Sequence, residues 1–165
     1  MALQIRLATV DDVPLILDFI RGLAEYERML DQVEASEERL CASLFPVDGR
    51  APDAHCVLGS VDGVPAGFAL YFFNYSTFLA RPGLYLEDLF VKPEFRGAGL
   101  GKALLLHLAA LAHDRGCGRM EWAVLDWNEP AIGFYEALGA KRLLDWQICR
   151  LDRETLERYG RGGRL

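Results

Sequence analysis

The sequence predicts an α/β domain built on one mixed, mostly antiparallel sheet with helices on both faces. Three observations lead there. Apolar runs joined by tight turns dominate the first half, and strand alternates with helix in the second. The third is size: 165 residues, 52% hydrophobic and 25% charged, supply the core of a single domain over 1–165.

Gln4 to Ala8 reads as a short edge strand, and Thr9 before Asp11 and Asp12 is the start signal of a helix. Along that helix Val13, Ile16, Leu17, Ile20, Leu23 and Ala24 recur at three- and four-residue spacing, one apolar face that fades near Glu27. Ser36-Glu37-Glu38-Arg39 opens a second helix through Leu40 and Leu44, stopped by Phe45-Pro46 and a loop from Asp48 to Asp53. Cys56 to Val61, a turn at Asp62-Gly63 and the apolar stretch Ala66 to Tyr75 form a hairpin. Leu84 to Val91 is the next strand, closed by Lys92-Pro93. Gly99 to Arg115 is helical, Met120 to Leu125 a strand, Pro130 to Leu138 helical and Lys141 to Leu151 a last strand. The tail, from about 155 and above all Arg161-Gly162-Gly163-Arg164, is expected to fray.

No run approaches the roughly 18 apolar residues a bilayer demands, and the N-terminus lacks the charged-then-apolar order of a signal peptide. A cytoplasmic protein with no membrane partner is expected. Eighteen Lys and Arg against 24 Asp and Glu leave a net charge of -6, which opposes binding to nucleic acid and suits a small cationic partner. Cys41, Cys56, Cys117 and Cys149 stand far apart with no paired His, so no zinc or other metal site is expected and the thiols read as reduced and mostly buried.

The most informative stretch is Arg96-Gly97-Ala98-Gly99-Leu100-Gly101-Lys102, between a strand and a helix. Glycines there let backbone N–H groups converge on an anion while the helix N-terminus adds a partial positive charge, and Arg96 adds a two-pronged donor for phosphate oxygens. The spacing is neither that of a P-loop nor the dinucleotide fingerprint. A glycine-rich turn with no ligand is the plainer alternative.

Phe95-Arg96-Gly97-Ala98-Gly99-Leu100-Gly101 resembles the acetyl-CoA loop, R-x-x-G-x-G, of the GNAT N-acetyltransferases. Tyr85-Leu86-Glu87-Asp88-Leu89-Phe90-Val91, Leu125-Asp126-Trp127-Asn128-Glu129-Pro130 and Phe134-Tyr135 follow in the order of the diamine and polyamine (spermidine/spermine) acetyltransferases. Asn74-Tyr75-Ser76-Thr77 and Val124-Leu125-Asp126-Trp127-Asn128 are most similar to the thialysine N-acetyltransferase type. The likeness runs from Ile5-Arg6 to Leu151-Asp152. It implies the GNAT fold, acetyl-CoA as cosubstrate, and acetyl transfer to a primary amine of a small diamine or lysine-like molecule. Spermidine or spermine, another small amine, and a non-enzymatic acyl-CoA-binding regulator are the alternatives.

The chemistry has a protonation problem. An amine of pKa near 10.4 is neutral in about one molecule in 2,500 at pH 7, a deficit of roughly 4.6 kcal/mol. Glu87 and Asp88, two carboxylates inside an apolar strand, are the candidates to take the proton, with Glu87 the first choice, through water. Strict alternation would put them on opposite faces unless a bulge re-aims one, and the resemblance implies such an irregularity here. A strand-end carboxylate pair that binds an Arg is the competing reading. An acidic pocket also raises the amine's own pKa, so recruitment opposes activation.

The resemblance further implies that Tyr135 protonates the departing thiolate and that Asn128 bridges to the pantetheine arm. Core packing and a helix N-cap are what those residues read as on their own. Backbone at Leu89, Phe90 and Val91 would pair with pantetheine amides, and one N–H could steady the developing oxyanion. Gly97 through Lys102 would hold the diphosphate. Tyr26, Glu27 and Trp146 correspond to residues that touch the amine, and the homodimer implied by the likeness packs the strand around Trp146 to Leu151 against its mate. The chain lacks the polyamine enzymes' extra acidic loop before Trp146, having Leu143-Leu144-Asp145, which favours a short acceptor.

Overall fold

The computed structural model describes residues 1–161. The chain forms two compact units, Met1–Ala123 and Val124–Leu165.

The first unit is a five-stranded sheet in the order of the sequence: β1 (Leu3–Leu7), β2 (His55–Val61), β3 (Val64–Ser76), β4 (Arg81–Val91) and β5 (Met120–Glu121). Neighbours run antiparallel except β4 and β5, which are parallel and paired only at Leu84↔Met120 and Tyr85↔Glu121. The expected strand from Met120 to Leu125 is thus cut to its first two residues. β1 is the free edge, as its short mixed sequence suggests. The β2–β3 turn is made by Asp62 and Gly63, both at positive φ (49° and 80°), the geometry that an Asp-Gly pair adopts at least cost.

α1 (Val13–Tyr26) and α2 (Glu37–Leu44) cover one face, and α3 (Leu100–Asp114) covers the other. Alternation along the strands decides which residue meets which helix. Cys56, Leu58, Phe68 and Phe90 join Val13, Ile16, Leu17, Phe19, Leu40 and Leu44 in one buried cluster. Phe19 stacks on Phe68 with ring centroids 5.6 Å apart, both fully buried, and burying each ring contributes about 2–3 kcal/mol. Gly59, on the opposite face, leaves room for Leu100, whose Cδ1 would stand 2.7 Å from any Cβ there. α2 is capped as expected, the Ser36 hydroxyl accepting from the Arg39 N–H at 3.2 Å. α1 is preceded by a single turn over Val10–Asp12, where Asp12 accepts from the Thr9 N–H and hydroxyl and from both Arg6 Nη atoms at 2.7 Å.

In the second unit, α4 (Glu129–Ala137) begins at Asn128, whose Oδ1 accepts from the Ala131 N–H at 3.4 Å, and ends at Gly139 with φ 91°. α5 (Arg153–Gly160) is capped by Asp152, whose carboxylate accepts from the Thr155 N–H at 2.9 Å. That cap corrects the expectation of a tail frayed from about 155, while residues 162–165 lie outside the described residues. The strand expected over Lys141 to Leu151 does not form. A strand needs a partner for its ladder; among the described residues none pairs here, and a turn closes instead from the Trp146 N–H to the Leu143 carbonyl at 3.2 Å. Leu144, Trp146 and Ile148 are left largely exposed.

The four thiols are free, but only Cys56 is buried, which pushes its thiol up to about 12; Cys149 is exposed and the other two intermediate, correcting the expectation of mostly buried cysteines.

Candidate active site

β4 carries a bulge where the acidic pair lies. Leu70 pairs with Asp88 and Tyr71 with Leu86, so Glu87 has no partner on β3. Asp88 shares the α1 face with Leu70 and Phe90, Leu86 turns to the α3 face, and Glu87 stands exposed at the bulge. The irregularity implied by the family likeness is therefore present, at the residue expected to need it.

Burial, with the charges of Glu87 and Glu27, pushes the Asp88 carboxyl up to about 6. Burial also raises Glu27, at the end of α1. The structure thus brings Glu27 and Glu87 each within electrostatic reach of Asp88. Tyr85, beside Phe72 on the same face with centroids 5.1 Å apart, is raised by burial and by Glu87 and Glu121. A cation placed among these groups would lower the cost of every negative charge present.

Past Tyr85, β4 has no strand partner on its β5 side among the described residues. The ladder to β5 ends there while β4 continues through Glu87, Leu89 and Phe90 to Val91, so backbone groups on that side face no β5 partner. An extended amide chain could pair with such an edge as an added strand. The edge leads to the glycine loop, where Gly97 and Gly99 take φ of 81° and 86°, a region costly for any residue with a Cβ. α3 starts at Leu100, and the Ala103 N–H is the first to reach an intrahelical carbonyl, that of Gly99 at 3.0 Å. The N–H groups of Leu100, Gly101 and Lys102 therefore point out of the helix end. An added Cβ at Gly97 would meet nothing within 4 Å, so the loop borders open space.

Arg96 stands at the start of this loop. Its Nε donates to the Val91 carbonyl at 3.2 Å and its guanidinium lies 4.6 Å over the Tyr26 ring, tying the loop to α1. The same contact brings Tyr26, an expected substrate residue, to the end of β4. Beside it an open cleft of about 420 Å³ is lined by Asp18, Phe19, Gly22, Glu25, Tyr26, Phe90, Lys92 and Pro93. The sequence reading missed Asp18, Glu25 and Lys92. Spacing held a signal, because positions 18, 22 and 25 fall on one stripe of a helix, with no side chain at Gly22 between the two carboxylates.

Asn128, Tyr135 and Trp146 belong to the second unit. Asn128 caps α4. Tyr135 lies on α4 with its ring 5.2 Å from that of Phe134, and Trp146 is 79% exposed in the irregular segment.

Comparison with known proteins gives a consistent picture. The model of the acetyltransferase (GNAT) family matches residues 19–140. The chain is 42% identical over 164 residues to a thialysine N-epsilon-acetyltransferase of Bos taurus, covering 93% of this chain and 94% of the relative. It is 36% identical over 196 aligned positions to an L-ornithine N5-acetyltransferase of Arabidopsis thaliana, covering 93% and 86%. Among solved structures, an integron cassette protein of V. cholerae superposes with a TM-score of 0.78, covering 98% of this chain and 99% of that one, at 24% identity, a likeness of fold alone.

Proposed function

The chain belongs to the GNAT acetyltransferase family and is an acetyl-CoA-dependent N-acetyltransferase, and from that premise we propose that its acceptor is the side-chain amine of a small lysine-like molecule or short diamine. The observation that carries this reading is the carboxylate pair at the β4 bulge, one partner of which has its pKa raised toward neutrality beside a strand edge that β5 leaves unpaired. The thialysine and ornithine acetyltransferase relatives support the same class of acceptor. The family match also crosses Ala123, which supports the two units acting as one acetyltransferase domain.

The residues present fit the donor. Left-handed glycines at 97 and 99 open the loop, outward N–H groups of residues 100–102 meet a diphosphate, and the β4 stretch Leu89, Phe90 and Val91, whose Val91 carbonyl already accepts from Arg96 Nε, offers its remaining backbone groups to pantetheine amides. When bound, acetyl-CoA supplies an activated thioester. A backbone N–H on that edge polarises its carbonyl oxygen.

Asp88 and Glu27, with the Tyr26 hydroxyl, hold the ammonium form of the acceptor. Glu87, exposed at the bulge, takes the proton through water as a lysine-like ammonium passes to its nucleophilic form, and releases it to solvent. From the family motif come Tyr135 as proton donor to the departing thiolate, Asn128 as a contact to the cosubstrate and Trp146 as an acceptor contact. The unpaired segment around Trp146 to Leu151, with Trp146 and Ile148 exposed, supports a homodimer packed through it. Light scattering on the eluted protein at micromolar concentration is expected to give twice the chain mass.

Thiol release from acetyl-CoA with thialysine, ornithine, short diamines and spermidine tests the reading. Thialysine or ornithine should turn over best. Glu87→Gln and Tyr135→Phe should each lower kcat about 100-fold or more, with acetyl-CoA affinity within threefold. Unchanged turnover in either variant removes that residue from its role, and no turnover of any amine overturns the acceptor class.

A further inference from the structure

We infer that the cleft between α1 and the end of β4 holds the zwitterionic head of an amino-acid acceptor, with Lys92 reading the α-carboxylate and Asp18 and Glu25 the α-ammonium. The inference rests on the acceptor class proposed above and deepens it, naming the part of the molecule that tells an amino acid from a diamine.

The cleft has the mixed charge such a head requires. Its floor is apolar, formed by Phe19, Phe90 and Pro93, and its walls carry two carboxylates and one ammonium. Lys92 Nζ stands 5.5 Å over the Phe19 ring, on the α1 face of the sheet. Among the described residues no salt bridge joins Lys92 to Asp18 or Glu25, so both signs of charge remain open to a ligand. The Arg96 guanidinium over Tyr26 adds a second positive centre at the rim. A long polycation meets two cations here, which disfavours it.

Reach agrees. A Cβ at Gly22 would stand 3.0 Å from Phe90 Cζ, so the missing side chain lets the Phe90 ring pack against α1 and form part of the cleft floor. Phe90 lines the cleft and lies two residues from Asp88 on the same strand face, about 7 Å along β4. The three- or four-carbon stem of an ornithine- or lysine-like acceptor spans that interval, leaving its terminal amine beside Asp88 and its head in the cleft.

The experiment compares acceptors that differ by one carboxylate: ornithine against 1,4-diaminobutane, and lysine against 1,5-diaminopentane. In the unaltered chain the amino acid should be preferred. Lys92→Met should lower the amino-acid to diamine ratio of kcat/KM at least tenfold, and Lys92→Arg should restore it to within about threefold. Glu25→Gln should raise KM for both members of a pair, because each carries a distal ammonium. Measuring the ratio within one variant makes a general loss of fold or activity cancel. A ratio unmoved by Lys92→Met overturns the inference while leaving the amine acetyltransferase reading intact. If no amine is acetylated, that reading falls, and calorimetric titration of ornithine into the CoA-bound chain still decides the cleft: heat lost in Lys92→Met supports it, and no heat in the unaltered chain overturns it.

Discussion

The two faces of the sheet are built from the same strands yet carry different chemistry. Toward α3, Val57, Ala69, Leu84 and Leu86 pack on Leu100, Leu104 and Leu108, all buried and all apolar. Toward α1 the same strands present Leu58, Phe68 and Phe90 under the helices, then Asp88, Tyr85 and the bulged Glu87 where helical cover gives way. A residue on the first face is chosen for volume. On the second, charge is tolerated because a cleft and a strand edge that β5 leaves unpaired lie beside it. The difference teaches that one extra residue in β4 suffices to separate a wall from a site: without it, alternation from Leu86 would send Asp88 into the packed α3 face, where an uncompensated carboxylate costs several kcal/mol.

The sharpest way to break this contrast is to cut each face once. Leu104→Ala, in the fully buried α3 face, should lower unfolding free energy by about 2–5 kcal/mol by denaturant titration, with the amino-acid to diamine ratio unchanged. A loss below about 1 kcal/mol would mean that face is not the mechanical one. Gly99→Val forces a β-branched residue into φ of 86° at the start of α3 and should cost about 1–2 kcal/mol in stability. Acetyl-CoA affinity should fall with it, because the same backbone turn aims the N–H groups of α3. Affinity kept at the unaltered value would detach the loop from the diphosphate.

On the α1 face the probe is protons. Asp88 has its pKa raised to about 6, so the folded chain holds this proton more tightly than the unfolded one. Stability from this group is therefore full below its unfolded value near 4 and declines as pH rises through about 6. Activity runs the other way. If the ionised form recruits the ammonium, kcat/KM should fall about tenfold for each pH unit below 6, and Asp88→Asn should flatten that limb. A profile through pH 6 identical in both proteins would take Asp88 out of recruitment.

How far the sequence foretold this depends on whether a signal was local. The Asp62-Gly63 turn, the Ser36 cap and the apolar stripe of α1 are local, and each appears where its residues stand. Glu87 and Asp88 were legible as costly charges, and the bulge only through the family likeness, since alternation alone predicts opposite faces. The glycines that follow Arg96 mark it in the sequence as a phosphate donor, while its contact with Tyr26, some seventy positions earlier, leaves no local signal. The stretch from Lys141 to Leu151 alternates as a strand should, but a strand is completed by a partner, and alternation does not name one. The cleft was hidden for the same reason, with Asp18 and Glu25 reading as the solvated side of a helix until β4 brings Lys92 opposite them.

The smallest expected effect tests whether the α1 face needs its hinge held. Arg6 on the edge strand meets Asp12 through two Nη contacts of 2.7 Å, and Asp12 also accepts from the Thr9 N–H and hydroxyl, so one carboxylate joins β1 to the entry of α1. These donors hold the Asp12 carboxyl well below the usual carboxylate range, chiefly through Arg6. A carboxylate depressed in the folded state stabilises above its unfolded pKa and loses that contribution as pH falls, the reverse of Asp88. Asp12→Asn should therefore cost about 1 kcal/mol at pH 7 by denaturant titration, and the gap to the unaltered chain should narrow between pH 4 and pH 2. If the cost were equal at both ends of that range, the pair would contribute through packing instead of charge. The placement of α1 over Phe68 and Phe90 would then owe nothing to this ion pair.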